Sequence, residues 1–112
     1  MIINTYRQFK NEISIQGRQV ITLFYNNWNG SCNLAKGILE ELLNQHNYPV
    51  RLLLVDVDIL PEIMKTYGIH KIPSILFFKD GKVIDQVTGL HSKADIENKI
   101  SELIDNENIS NN

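Results

Sequence analysis

The order of apolar and polar positions predicts alternating helices and strands along the chain. Near the start, Tyr6, Phe9 and Ile13 share one face of a short helix. Thr5 with Gln8 three residues on has the form of a capping box, and Gly17 closes the segment. Val20 to Tyr25 (VITLFY) is β-branched and aromatic with almost no charge, the composition of a strand covered on both faces, and it is placed at the sheet's centre. A helical period follows, with Leu34, Ala35, Ile38, Leu39, Leu42 and Leu43 on one stripe and the end near Gln45 to Asn47. Val50 to Val57 (VRLLLVDV) is a second apolar run whose length favours a strand. Asp58 stands near the start of a short third helix, Pro61 suits its first turn and Gly68 its end.

The second half changes period. Ser74 to Lys79 and Lys82 to Thr88 flank Asp80-Gly81, a pair suited to the two positive-φ positions of a type I′ turn, so these strands are predicted antiparallel. Ser92 with Asp95 opens a last helix whose Ile96, Ile100, Leu103 and Ile104 form one stripe. A βαβ unit followed by a ββα unit gives an α/β fold: one mixed sheet with helices on both faces. No repeat or linker divides it, so residues 1–104 are read as a single domain, with 105–112 a polar tail expected to fray.

Composition narrows the function. With 43% hydrophobic and 21% charged residues, the 112-residue chain can bury one core. Its net charge is -2 and its eleven Lys and Arg are scattered, so it carries no footprint for nucleic acid or an anionic membrane. A protein or small-molecule partner is expected. The first twenty residues hold no continuous apolar stretch, and no window approaches the ~18 apolar residues of a membrane span, so a soluble cytoplasmic protein is expected, and separately a monomer. One cysteine, Cys32, excludes an intramolecular disulfide and a Cys-based zinc site. Asp56 and Asp58 alternate at a strand end without a matching histidine, so neither metal nor cofactor is expected.

That single thiol closes Trp28-Asn29-Gly30-Ser31-Cys32, between the first strand and the second helix. Asparagine is among the best N-caps: Asn29 either accepts from the N–H of Ser31 or Cys32, worth about 1 kcal/mol over alanine, or presents its amide to a partner. Helix-start N–H groups lower the pKa of a thiol at position 32 and apolar burial raises it, which leaves an inert core residue and a reactive thiol both open.

From about Val20 to Leu103 the chain resembles the thioredoxin family in order and spacing. Trp28-Asn29-Gly30-Ser31-Cys32 is similar to the family's Trp-Cys-Gly-Pro-Cys; Tyr67 to Ser74 (YGIHKIPS) resembles the approach to its cis-proline; Phe77 to Lys82 (FFKDGK) resembles its hairpin; and Gly89 falls where the family carries a glycine. The resemblance implies a thioredoxin fold and a relation to thiol-disulfide redox homeostasis. It also implies a degenerate CxxC: Asn29 stands in the attacking position and Cys32 in the resolving one, while Leu23 replaces the family's buried carboxylate, Ser31 the motif's proline and Gly37 the helix-kinking proline. An amide cannot attack sulfur, and leucine accepts no proton.

Two functions follow. In one, the chain holds protein thiols or extended peptides in the family groove, at Trp28, Asn29, Gly30, Ser31, Ile72 and Pro73, without dithiol reduction. Ile72 would pair its backbone with the bound peptide there. In the other, Cys32 is catalytic alone, through a mixed disulfide with a protein or a low-molecular-weight thiol such as glutathione, or as a redox-sensitive switch. A partner chain supplying the missing thiol is a third arrangement. Trp28 has a packing role against the helix start as its alternative. His70 and Lys71 fall on the groove rim; His46 and His91 receive no role.

Overall fold

A computed structural model describes the backbone of residues 1–110 and the side chains of residues 1–105. The elements run α1 (Tyr6–Ile13), β1 (Gln19–Tyr25), α2 (Gly30–Gln45), β2 (Val50–Asp56), α3 (Pro61–Thr66), β3 (Ser74–Lys79), β4 (Lys82–Thr88) and α4 (Lys93–Ser110). They build one mixed sheet of order β2-β1-β3-β4, in which β1 pairs parallel with β2 and antiparallel with β3. The uncharged run from Val20 is therefore internal, as its composition requires.

Alternation along β1 divides the interior in two. Val20 and Phe24 face a cluster with Phe9 and Ile13 of α1 and Ile63 of α3. Ile21, Leu23 and Tyr25 face Cys32, Ala35, Leu39 and Leu42 of α2 with Ile96 and Ile100 of α4. Helices thus cover both faces. On the first face Phe9 meets Phe78 edge-on at 5.7 Å between ring centroids, and Tyr67 meets Phe78 at 5.4 Å. Such pairs add about 1 kcal/mol each to their burial. No helix among the described residues is long and apolar enough to cross a membrane.

Local signals behave as their chemistry requires. Gln8 N–H donates to Thr5 Oγ1 at 3.0 Å, while the Gln8 side chain reaches back to the Asn4 N–H at 2.7 Å, one residue before the position a strict capping box uses. Asp80 and Gly81 both take positive φ, 52° and 82°. The carboxylate of Asp80 also accepts from the Gly17 N–H at 2.7 Å, which pins the hairpin tip to the α1–β1 loop. Between Phe77 and Phe78 the register slips, and Ile84 is the extra residue of a bulge.

Some expectations need correction. Leu34 does not join the buried stripe of α2; it is 59% exposed. At about 100° per residue it lies roughly 120° around the helix from the centre of the face formed by Cys32, Ala35, Leu39 and Leu42. α3 begins at Pro61, in the first turn as expected, with Leu60 in the cap position, Asp58 two residues before it, and no side-chain cap. Residues 1–3 add an edge that the periodicity does not announce: Ile2 bridges Leu54, and Ile3 N–H donates to Leu54 O at 2.9 Å. α4 is assigned as far as Ser110, past Ile104; the last two positions of the expected tail, 111 and 112, lie outside the described residues.

Thr22 is fully buried, and its hydroxyl has no hydrogen-bond partner among the described residues. Replacing it with the isosteric apolar side chain, Thr22→Val, removes an unsatisfied group from the core. The variant is predicted to gain about 1 kcal/mol in denaturant unfolding. A loss of stability would mean that the hydroxyl is satisfied.

Candidate functional site

The strand register decides which loops meet. Tyr25 pairs with Asp56 and Phe24 with Ser74, and Val57 N–H donates to Tyr25 O at 2.9 Å. The carboxyl ends of the two parallel strands and the start of β3 thus share one rim of the sheet, with neighbouring strands about 4.8 Å apart. The loops after β1 and β2 and the loop before β3 converge there, so Trp28 to Cys32 and Ile72-Pro73 share one end of the molecule. Binding sites on α/β sheets form at such carboxyl ends.

Asn29 caps α2. Its backbone is extended (φ -100°, ψ 120°), and its Oδ1 accepts from the Cys32 N–H at 3.1 Å. Its carbonyl accepts from the Asn33 N–H, also at 3.1 Å, so both acceptors of Asn29 serve the first turn. Gly30 is exposed and Ser31 half-buried, whereas Cys32 is 0% exposed, within the apolar cluster that also holds Leu23. Burial pushes the Cys32 thiol above its ordinary pKa, partly offset by a hydrogen bond from the Asn26 backbone. The side chain of Leu23 is wholly buried and apolar, so that position offers no proton acceptor.

Trp28 is 77% exposed, and its indole N–H donates to Asp58 Oδ2 at 3.0 Å. Of the two roles open to it, the structure displays the ring and does not pack it away. The residues that hold it in place carry no sequence signal of this kind: Asp56 is buried, accepts from Asn27 Nδ2 at 3.2 Å and from the Asp58 N–H at 2.9 Å, and so fixes the loop that presents Asp58. The only hint is Asp-x-Asp at a strand end. Among the described residues, no group of three or more His, Cys, Asp or Glu is placed to hold a metal ion.

On the other side of the rim, the Ile72-Pro73 bond is cis. Pro73 is buried and its carbonyl accepts from the Gly89 N–H at 2.8 Å, while Ser74 Oγ donates to Lys71 O at 2.6 Å. Ile72 is half-buried against both apolar clusters, and its own N–H and C=O make no hydrogen bond with any described residue. His70 and Lys71 are exposed beside it. The other two histidines are engaged elsewhere: His46 stacks on Tyr48 at 5.0 Å, and His91 Nε2 lies 3.1 Å from Thr88 O.

A four-stranded mixed sheet between two helical layers, with a capped helix start facing a cis-proline loop, defines a protein of the thioredoxin-fold class. The family model for thioredoxin matches residues 1–102. The thioredoxin of Chlorobaculum thiosulfatiphilum is 34% identical over 100 residues, covering 89% of this chain and 93% of its own, and that of Rickettsia bellii is 32% identical over 102 residues, covering 91% and 93%. Among solved structures, mitochondrial thioredoxin 3 from Saccharomyces cerevisiae superposes with a TM-score of 0.80 at 25% identity, covering 91% of this chain and 93% of its own. Thioredoxin from Malassezia sympodialis superposes with a TM-score of 0.77 at 27% identity, covering 90% and 87%. The chain belongs to the thioredoxin family, a family of redox proteins.

Burial of Cys32 makes stability depend on pH. A folded-state thiol pKa above the unfolded value of about 8.5 means that the unfolded chain loses its proton first as pH rises. The stabilisation is present below the unfolded value and is lost as pH climbs toward the folded one. The stability gap between the wild-type chain and Cys32→Ala is predicted to narrow from about pH 8 to about pH 10. A gap that stays constant across that range would mean the thiol ionises freely in the folded protein.

Proposed function

We propose that this member of the thioredoxin family works by binding: it holds an extended segment of a protein, including segments that carry thiols, across Trp28, Asn29, Gly30, Ser31, Ile72 and Pro73, and does not turn over disulfides by itself. The observation that carries this reading is the cap. The Asn29 side chain is committed to the Cys32 N–H at 3.1 Å, in the seat of the family's attacking sulfur. A thiol-disulfide exchange needs a thiolate at that point and a second thiol to resolve the mixed disulfide. Here the first is an amide, and the second is a buried thiol with its pKa pushed up.

The surface suited to binding is intact. Trp28 offers an exposed aromatic face held by Asp58, Ile59 next in the chain is 66% exposed, and the Ile72 N–H and C=O, unpaired among the described residues, suit strand-like pairing. Aromatic faces of this kind supply much of the energy of protein recognition. The cytoplasmic location and monomeric state expected from the sequence belong to the same proposal.

The test has two parts. With excess dithiothreitol and insulin as substrate, the chain is predicted to precipitate insulin no faster than dithiothreitol alone; clear turnover would overturn the binding reading. Iodoacetamide is predicted to leave Cys32 unmodified in the native chain and to alkylate it once unfolded. Rapid alkylation of the native protein would instead establish the single-thiol chemistry that Cys32 allows in principle.

A further inference from the structure

Beside Ile72-Pro73, on the face of the sheet that carries α3, lies a small cavity of about 180 Å³. His70, Lys71 and Ser74 line it from the chain on either side of Ile72-Pro73, and Gln86 and Thr88 line it from β4. Lys71 brings a cation to it, and Gln86 and Thr88 bring hydrogen-bond donors. The Ser74 hydroxyl is spent on the Lys71 carbonyl at 2.6 Å, but one Gln86 N–H serves Thr88 Oγ1 at 3.2 Å, which leaves a second amide proton and the Thr88 hydroxyl proton available. No Asp or Glu lines the cavity, and neither His70 nor Lys71 has an ion-pair partner among the described residues.

The Lys71 side chain reaches over Gly89, where an added Cβ would come within 3.4 Å of Cε and Nζ, and Gly89 is anchored by its N–H to Pro73 O. Lys71 directly precedes Ile72, whose N–H and C=O are unpaired among the described residues, in a chain whose overall charge is -2. A local positive site on a slightly acidic protein selects one carboxylate at short range and does not attract polyanions.

We infer that this cavity receives an Asp or Glu side chain of the extended segment bound along Ile72, with Lys71 as its counter-ion and Gln86 and Thr88 as further donors. The inference rests on the groove reading above and adds the chemistry of the partner: an apolar stretch for Trp28, Ile59 and Ile72, with an acidic residue at a fixed offset.

The probe is a random linear peptide library displayed against the immobilised full-length chain. Peptides enriched on the wild-type chain are expected to carry Asp or Glu at one fixed position. The same selection on Lys71→Glu, a substitution of an exposed side chain, is expected to lose that acid and favour Lys or Arg there. In fluorescence anisotropy at low salt, changing the selected acid to its amide should weaken binding about tenfold, a gap that closes at high salt. Enrichment of apolar peptides with no acidic position, or with an acid that Lys71→Glu leaves in place, would overturn this inference and leave the groove standing. No enrichment on the wild-type chain over Trp28→Ala would overturn both.

Discussion

One hydrogen bond sets the character of the site: the side-chain oxygen of Asn29 accepts from the Cys32 N–H and closes the first turn of α2. The four leading N–H groups of a helix need acceptors, and Asn29 provides one with its side chain and begins the regular ladder with its carbonyl. A side chain committed in this way is a structural part of the helix start. Behind it Cys32 lies on the buried face of α2 with Ala35, Leu39 and Leu42, in the apolar cluster shared by α2, α4 and β1. On the proposed reading, an amide stabilises the position from which a thiolate would react.

The rest of the site depends on the rim of the sheet. The parallel pairing of β1 with β2 and the antiparallel pairing of β1 with β3 bring three loops together that are far apart in sequence. Asp56 and Asp58 brace Trp28 from one side, and the Gly89 N–H braces Pro73 from the other. The surface between these braces has an exposed aromatic ring and, at Ile72, backbone groups unpaired among the described residues, the features on which the proposed binding rests. Reduction would need in addition two thiols and a proton acceptor, and the sequence has one cysteine, with leucine at position 23.

Much of this was legible from residues alone, because the signals were local. The uncharged run Val20 to Tyr25 had to be an internal strand, Asp80-Gly81 had to turn, and Asn29 was suited to cap a helix. What remained hidden was made of contacts distant in sequence or of faces that periodicity marks only coarsely. Leu34 fits a helical stripe yet falls outside the face that meets the sheet. A single bridge at Ile2 is too short to show a period. The bond from Trp28 to Asp58 and the cavity joining Lys71 to Gln86 and Thr88 exist only once the strand register is known.

The central claim is positional: Asn29 occupies the seat of an attacking sulfur above Cys32. The most direct measurement is the thiol count of the Asn29→Cys variant after mild oxidation, with mass spectrometry to place the linkage. The account predicts that both thiols disappear together into one intramolecular disulfide, and that the reduced variant shows weak insulin reductase activity, held down by the leucine at position 23. Two thiols that remain free, or that pair only between molecules, would contradict it.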